Sequence, residues 1–352
     1  MNKILVLMLA GIGDSLLVTP LLTQLRKRYP DAQITALVMY DAVRDTLLRN
    51  QDVDNVVYFN FVKEGYFRSL RFVLKMRKEK YDLSLVAYPS NRFRPNVINF
   101  LIGARRRLGH VYEINTLTSL SFLLYTDRVP IHPERHTIDE NLKFLELLWV
   151  DPSPLERTMT FSLTDGEKTF AQRFLKERGI TSHDLVIGVH AGSSELAGMT
   201  LKRWPKEKFA AVCDRLIEEK NAKILLFGGS NELQLKQEIA GLMKHKPLFV
   251  NNVSFFHSAA LIARCKGFFC NDTGLMHLAS YFDVPTVVVT GHINPAKTRP
   301  QHTRARVLTP EKICRPYRIG EDLTCLYGGT PQYCLNMISV DEIYDALNEV
   351  LS

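Results

Sequence analysis

Apolar residues recur along the chain in short runs, separated by glycine turns and by amphipathic segments of helical length. The first run, Lys3–Leu9, leads into the turn Ala10–Asp14, and a helical segment follows at 15–29. Continuous apolar runs of this length are typical of the buried strands of a parallel sheet, and the segments between them repeat with the helical period. The pattern predicts an α/β fold in which right-handed crossovers join parallel strands.

This alternation of strand and helix occurs twice. The predicted strands of the first half lie at 3–9, 33–39, 55–59 and 82–87, and its helices at 15–29, 67–80 and 136–150. A proline-rich break at 151–154 begins a linker that extends to about residue 164. The predicted strands of the second half lie at 185–189, 223–227, 247–250, 267–270 and 286–290, and its helices at 206–220, 233–244, 256–264 and 275–282. A last helix, 339–351, begins with the capping-box pair Ser339 and Glu342.

The repeated pattern predicts two Rossmann-like domains, 1–160 and 161–352, with the last helix packing back on the first domain. A chain of 352 residues exceeds one typical core, which agrees with this division. Parallel sheets bind ligands outside the carboxyl ends of their strands, so we expect the two domains to share a ligand-binding cleft.

The composition, 46% hydrophobic and 23% charged, is that of an ordinary globular protein. The apolar runs are far shorter than the ~20 residues that span a bilayer. The first run leads into a glycine turn, which favours a buried strand over a signal peptide. We therefore expect a cytoplasmic protein whose six cysteines are reduced thiols. Cys314, Cys325 and Cys334 cluster without a CxxC pair, which disfavours a zinc site.

The net charge of +8 is unevenly distributed. Between Tyr66 and Leu108 there are eleven Lys and Arg residues but only two acids, Glu79 and Asp82. A one-sided basic field suits an anionic partner, such as acidic lipid headgroups, a phosphorylated acceptor or nucleic acid. The alternative is a solvated helix face that binds nothing.

The turn Gly11-Ile12-Gly13-Asp14 after the first strand resembles the start of a dinucleotide fingerprint, and Asp41 follows the second strand. Leu16, however, occupies the position of the third glycine, and the Asp14 carboxylate would repel a phosphate at this helix start. Asp14 is either a helix N-cap or a general base exposed at the ligand site. In the second case, the glycines would let an acceptor hydroxyl approach closely.

The corner Asn271-Asp272-Thr273-Gly274 joins a predicted strand to a helix. Backbone N–H groups at the helix start, at Gly274 and Leu275, can hold phosphate oxygens, and Thr273 adds a hydroxyl donor. Asp272 either caps the helix or accepts hydrogen bonds from a sugar hydroxyl. His277, one turn into the helix, faces either the phosphates or the core.

Two more corners of the second half follow strands. In His190-Ala191-Gly192-Ser193, Gly192 and Ser193 offer backbone and hydroxyl donors. The later segment Lys202-Arg203-Trp204-Pro205 adds Lys202, a point charge suited to a diphosphate, and Trp204, which we interpret as a core anchor. In Gly228-Gly229-Ser230-Asn231-Glu232, Glu232 is either a first-turn acid or a ligand of ribose hydroxyls. Three such corners predict a nucleotide-diphosphate site in the second half.

Taken together, these motifs resemble those of glycosyltransferase family 9, the ADP-heptose:lipopolysaccharide heptosyltransferases. The resemblance spans nearly the whole chain and rests on the order of its motifs. They are Gly13-Asp14 with Thr19-Pro20, His190-Ala191-Gly192, Lys202-Arg203-Trp204-Pro205, Gly228-Gly229 with Glu232, Asn271-Asp272-Thr273-Gly274 with His277, and Gly291 with Pro295 and Thr298-Arg299-Pro300.

The resemblance implies the two-domain GT-B architecture and an inverting reaction without a metal ion or another cofactor. It implies that Asp14 is the catalytic base and that the second domain binds the nucleotide-sugar donor. The implied donor-binding residues are Gly192, Ser193, Lys202, Glu232, Asp272, Thr273, Gly274, Leu275 and His277. The expected acceptor-binding residues are Gly13, Arg68, Arg71, Arg92 and Arg94.

The implied partners are ADP-heptose, a lipopolysaccharide core acceptor and, transiently, the inner face of the cytoplasmic membrane, with no nucleic acid. Two other functions remain open from the residues. A sugar-nucleotide epimerase would act on the donor without an acceptor, and a non-catalytic basic protein would bind membrane or nucleic acid with a steep salt dependence.

Overall fold

The computed structural model describes residues 1–90, 93–111, 123–194, 196–291, 293–302, 304–311 and 333–352. The chain divides into two compact units, Met1–Ser162 and Leu163–Ser352. The division falls within two residues of the boundary predicted from the sequence.

The first unit has a six-stranded parallel sheet in the order β3-β2-β1-β4-β5-β6. Its strands are β1 (Lys3–Met8), β2 (Gln33–Val38), β3 (Asn55–Tyr58), β4 (Leu83–Val86), β5 (Arg106–Val111) and β6 (Asp127–Pro130). Its helices are α1 (Ile12–Leu16), α2 (Thr19–Arg28), α3 (Asp41–Leu47), α4 (Gly65–Arg77), α5 (Phe93–Ile102) and α6 (Thr137–Leu142), which continues as a 3₁₀ helix, Lys143–Leu148.

The second unit repeats the same strand order, since its parallel sheet runs β12-β11-β10-β7-β8-β9. Its strands are β7 (Val186–His190), β8 (Lys223–Leu226), β9 (Leu248–Phe249), β10 (Gly267–Asn271), β11 (Thr286–Val289) and β12 (Ala305–Leu308). Its helices are α7 (Asp165–Lys176), α8 (Lys206–Lys220), α9 (Leu233–Leu242), α10 (Phe255–Ile262), α11 (Gly274–Tyr281), α12 (Pro295–Thr298), α13 (Tyr333–Asn336) and α14 (Val340–Leu351). Two 3₁₀ helices, Leu196–Lys202 and Ser230–Glu232, precede α8 and α9.

Both sheets have the strand order of a Rossmann fold, so the predicted α/β class with two parallel-sheet domains is confirmed. In this order the direction of winding reverses beside the first strand, and ligands bind in the crevice at that switch point. In the second unit the switch point lies between β7 and β10. These strands end at His190 and Asn271, immediately before two of the predicted donor corners.

The sequence pattern gave no bounds for strands β5, β6 and β12 or for helices α3, α5, α7, α12 and α13. Strand β5 begins with two arginines and so lacks the apolar run of a central strand. Arg106 lies in β5 because its guanidinium bonds the Asp127 carboxylate at 2.8 Å and the Leu147 carbonyl at 2.9 Å. Contacts across the sheet thus compensate for a sequence that does not look like a strand.

The C-terminal helix α14 begins and packs as an element of the second unit. Its predicted capping box is confirmed, because the Ser339 hydroxyl accepts from the Glu342 N–H at 3.1 Å. Its apolar residues Ile343, Leu347 and Val350, however, lie in the core of the second unit. These apolar residues of the amphipathic face are therefore buried within their own unit.

Candidate functional site

Asn271, fully buried at the end of β10, joins the two strand ends of the second unit's switch point. Its amide donates to the Ala191 carbonyl at 2.7 Å, and its oxygen accepts from the Trp204 backbone N–H at 3.0 Å. Trp204 is buried, as predicted, and its indole N–H donates to the Ile338 carbonyl at 3.2 Å. The loop after β7 and the segment before α8 are thus held at the end of β10.

His190 connects the other two corners of the site. Its Nδ1 lies 3.0 Å from the Thr273 hydroxyl, and its Nε2 lies 3.1 Å from Oε2 of Glu232. The imidazole and the carboxylate are both more than nine-tenths buried. One ring therefore sets the positions of two predicted donor-binding residues that lie 83 and 42 positions away in the sequence.

The Glu232 carboxylate accepts a second hydrogen bond, from the Gly229 N–H at 2.9 Å. Burial raises the pKa of Glu232, but the bond and charge of His190 and the Gly229 N–H outweigh it, so its pKa lies below the ordinary value. A Cβ on Gly192 would lie 1.7 Å from Oε1 of Glu232. The carboxylate is thus ionised and closely packed against the loop after β7.

Lys202 forms an ion pair with Asp272, with Nζ 3.1 Å from Oδ2. Their side chains are only 15% and 7% exposed, so the interpretation of Lys202 as a solvated loop lysine is wrong. A partly desolvated ammonium group beside the end of β10 can bind an anionic ligand strongly, because little water screens it.

Helix α11 begins at the same place. Its N-cap is Thr273, so the interpretation of Asp272 as the cap is wrong. The Thr273 hydroxyl bonds His190, and the first-turn residues Gly274 and Leu275 are half-buried. Backbone N–H groups of a first turn can bind phosphate oxygens. His277, one turn further, is buried, with 4% of its surface exposed.

Ser193 is held by Arg203, a residue of the 202–205 motif to which the sequence had assigned no role. The Arg203 Nε donates to the Ser193 hydroxyl at 3.0 Å and its Nη2 to the Ser193 carbonyl at 2.9 Å. The hydroxyl also donates to the Met199 carbonyl at 2.9 Å. Ser193 is therefore buried in a bonded loop, and its hydroxyl already has protein partners.

Lys236, also missed from the sequence, is buried near the third corner. Its ammonium group bonds the carbonyls of Gly228 at 3.0 Å and Val250 at 3.2 Å, and the side chain of Asn251. Burial lowers the pKa of Lys236. In the sequence, Lys236 stands among the apolar positions of a helix. Surface lysines of other helices stand among apolar positions too, so this signal does not identify a buried lysine.

The corresponding corner of the first unit carries Asp14. It is half-buried in α1, whose N-cap is Gly11, so the interpretation of Asp14 as an N-cap is wrong. Gly13 is buried beside it. The predicted helix at 15–29 begins instead as α1 and restarts as α2, with Pro20 in its first turn. Asp14 thus follows β1 directly, at the switch-point edge of its own sheet.

Three of the predicted acceptor arginines, Arg68, Arg71 and Arg94, lie on two neighbouring helices of the first unit, α4 and α5. All three are exposed, and Arg68 pairs at 3.0 Å with Glu64, the N-cap of α4. Arg92 lies outside the described residues. Their role in acceptor binding stays a prediction.

Part of the basic excess is structural and not available to a partner. Arg106 pairs with Asp127, and Arg107 donates to the carbonyls of Ala104 at 2.9 Å and Leu124 at 3.0 Å. Arg106 and Arg107 are thus engaged in contacts within the first unit, whereas Arg105 is exposed.

Within the described ranges, no group of three or more His, Cys, Asp or Glu side chains is placed to hold a metal ion. Cys334 is buried, whereas Cys314 and Cys325 lie outside the described residues. No helix in the described part of the chain is both long and apolar enough to cross a membrane.

Comparison with known proteins gives one matching family model and several similar chains. A sequence model of glycosyltransferase family 9 (heptosyltransferase) matches residues 69–323. The chain is similar to lipopolysaccharide heptosyltransferase 2 of Salmonella typhimurium, with 29% identity over 318 residues, 87% of each chain.

Two solved structures are similar over almost the whole chain. A family 9 glycosyltransferase from Veillonella parvula has a TM-score of 0.78 and 25% identity, with 99% of this chain and 97% of that chain covered. The Escherichia coli ADP-heptose lipopolysaccharide heptosyltransferase II has a TM-score of 0.73 and 21% identity, with 99% and 98% covered.

Proposed function

The chain belongs to glycosyltransferase family 9 and is a heptose glycosyltransferase, and we propose that it transfers a heptose or related sugar from ADP-heptose to a lipopolysaccharide core. The transfer inverts the anomeric carbon and needs no metal ion. The observation that carries the proposal is the convergence of a partly desolvated lysine, a helix N-terminus and a buried carboxylate at one switch point.

The diphosphate of the donor binds between Lys202 and the first turn of α11. Its oxygens accept hydrogen bonds from the N–H groups of Gly274 and Leu275, where the helix dipole favours negative charge. Lys202 exchanges part of its contact with Asp272 for the phosphates, which frees the Asp272 carboxylate to accept a hydroxyl of the sugar. Thr273, fixed by His190, and His277 complete this side of the site.

The ribose binds at Glu232. An ionised carboxylate accepts charge-assisted hydrogen bonds from ribose hydroxyls. The lowered pKa keeps Glu232 in this form at neutral pH, and its bond to His190 sets the carboxylate orientation. Gly192 and Ser193 form the neighbouring wall, where a side chain larger than hydrogen on Gly192 would fill the space that the carboxylate occupies.

Asp14 is the base. Its carboxylate accepts the proton of an acceptor hydroxyl while the oxygen forms a bond to the anomeric carbon of the donor. The bond from that carbon to the β-phosphate oxygen breaks, and ADP leaves with the electron pair. Lys202 and the N-terminus of α11 stabilise the charge that grows on the diphosphate, in the role that a divalent ion has in other enzymes.

The acceptor binds to the first unit. Because Gly13 has no side chain beyond hydrogen, the acceptor hydroxyl can approach Asp14 closely. The exposed arginines Arg68, Arg71 and Arg94, together with Arg92, bind the acidic groups of a lipopolysaccharide core. Such an acceptor is lipid-linked, so the enzyme works in the cytoplasm in transient contact with the inner face of the membrane. Nucleic acid is not a partner in this proposal.

The experiment compares Asp14→Asn with Lys202→Met. We expect Asp14→Asn to lower kcat by about 10²- to 10⁴-fold, the usual contribution of a general base, with ADP affinity unchanged. Lys202→Met should instead weaken ADP binding roughly tenfold, because a partly desolvated charge pair to the diphosphate is lost. ADP affinity is measured by calorimetry, and transfer is measured with ADP-heptose and a truncated lipopolysaccharide core.

Asp41→Asn is the matched control. Asp41 occupies the first turn of α3, after the neighbouring strand, and pairs with Arg44 at 2.8 Å on the surface. Its loss should leave kcat and ADP affinity near the wild-type values. Near-normal turnover by Asp14→Asn would refute the assignment of the base, and unchanged ADP binding by Lys202→Met would refute the diphosphate site.

A further inference from the structure

Helix α4 of the first unit has a well-packed inner face. Val73 and Met76 are buried in the core of the unit. Phe72 stacks on Phe59 with ring centroids 4.1 Å apart, and Phe61 meets Phe72 edge-on at 5.8 Å. These contacts fix the rotation of the helix about its axis, and so they determine which residues point outward.

The outer face of α4 also carries apolar side chains. Phe67, Arg71, Leu74 and Lys78 follow each other at spacings of four, three and four, which places them in one line along the helix surface. Phe67 is 85% exposed and Leu74 is 48% exposed. Tyr66, 77% exposed, meets the Phe67 ring edge-on at 5.9 Å. An exposed aromatic pair on a helix that already has a packed core face indicates an interaction surface.

Basic residues surround these side chains. Arg71, Lys75 and Lys78 are exposed, and within the described part of the chain they form no ion pair. The acids nearby are already paired, since Glu79 bonds Lys3 at 3.0 Å. The positive charge of this face is therefore left for a partner outside the unit.

We propose that this outer face, formed by Tyr66, Phe67, Leu74, Lys75 and Lys78 and called here the α4 face, docks on a bilayer surface rich in anionic lipids. Tyr66 and Phe67 insert at the level of the headgroups, while the lysines extend along the surface to the lipid phosphates. The proposal rests on the membrane contact of the proposed function, and the residues of the α4 face are those that make this contact.

Charge and shape favour a lipid surface over a protein partner. A second copy of the chain would set the same basic residues against each other, which is unfavourable. An acidic protein would match the charge. A protein interface, however, usually has a shaped pocket for a protruding aromatic side chain and a rim that contacts the lysines. A fluid anionic interface accepts aromatic rings and long basic side chains without a matched shape.

The test is co-sedimentation of the full chain with phosphatidylcholine vesicles that contain or lack phosphatidylglycerol. Wild type should bind the anionic vesicles only. Phe67→Ala should weaken this binding roughly tenfold, through loss of one inserted ring. The double variant Lys75→Gln/Lys78→Gln should weaken it roughly 20- to 30-fold, and added salt should reduce what remains.

Each variant has a matched control. Trp149→Ala removes a 91% exposed ring elsewhere on the first unit, and Arg173→Gln/Lys176→Gln removes two exposed charges from α7. Both controls should bind vesicles like wild type. All the altered side chains are exposed, so thermal melting should stay close to wild type and exclude unfolding as the cause of a loss.

Equal binding to both kinds of vesicle, or wild-type binding by Phe67→Ala and by the double-lysine variant, would overturn the proposal. Binding to soluble polyglutamate without binding to anionic vesicles would assign the face to an acidic protein and overturn it too. Phe67→Ala should still transfer sugar to a delipidated acceptor at the wild-type rate. A wild-type enzyme that binds vesicles but transfers no sugar would instead refute the proposed function and leave the docking face intact.

Discussion

A single methyl group at Gly192 tests how the donor site is held together. In Gly192→Ala, the new Cβ would lie 1.7 Å from Oε1 and 2.3 Å from Cδ of Glu232. The carboxylate oxygen would have to move by about 1.7 Å to reach 3.4 Å, where ordinary van der Waals contact begins. It could not keep both its 2.9 Å bond from the Gly229 N–H and its 3.1 Å contact with His190.

The magnitude follows from those two contacts. A hydrogen bond to a charged group contributes about 1.5–3 kcal/mol, and leaving a buried partner unsatisfied costs a similar amount. Because the two losses share one carboxylate, we expect a total of about 2–4 kcal/mol and not their sum. If Glu232 binds ribose as proposed, the displaced carboxylate should also weaken ADP binding by about 10- to 100-fold.

The assay combines urea unfolding with calorimetric ADP binding. Gly241→Ala is the control, because a Cβ there meets nothing within 4 Å and Gly241 lies in helix α9. The same substitution should therefore stabilise the protein by about 0.5–1 kcal/mol and leave ADP affinity unchanged. If Gly192→Ala matches wild type in both measurements, the Glu232 carboxylate is not held as described, and the argument for the ribose site fails with it.

Two further predictions concern the stability of each unit. In Gly109→Ala, a Cβ would lie 1.9 Å from the buried Tyr125 ring. Urea unfolding should therefore show that the free energy of unfolding falls by about 3 kcal/mol or more. A fall of less than about 1 kcal/mol would mean that the ring moves easily. The lowered pKa of Glu232 means that its ionised form stabilises the folded state above the ordinary glutamate pKa and that this stability is lost as the pH falls through the lowered value. The difference in the free energy of unfolding between wild type and Glu232→Gln should therefore become smaller as urea unfolding is repeated at increasingly acid pH. A difference that stays constant would contradict the assigned charge.

The sequence by itself determined the repeated strand–helix pattern and the positions of the polar and glycine-rich motifs that follow the strands. Buried strands such as β1, β7 and β10 are nearly continuous apolar runs, because both faces of a parallel sheet are covered. A polar or glycine-rich motif after such a run lies at the ligand-binding edge. The position of the corners at 190–193, 228–232 and 271–274 after strands was therefore predictable, as was the capping box of α14.

The tertiary structure decided what each motif residue contacts. The bond of His190 to Thr273 spans 83 residues, and that of Lys202 to Asp272 spans 70, so no local pattern encodes either. The exposed Phe67 looked like an ordinary residue of a basic helix until the packing of Phe72 showed that it points outward.

The difference has one physical reason. Periodicity, turns and caps depend on residues a few positions apart, so the sequence contains them directly. The ionisation of Glu232, the pairing of Lys202 and the use of Arg106 within a strand depend on burial and on partners that only the folded chain brings within hydrogen-bond distance. The sequence predicted the sheet edge at which the polar corners lie, and the fold decided which side chains there are already paired and which face of α4 is exposed.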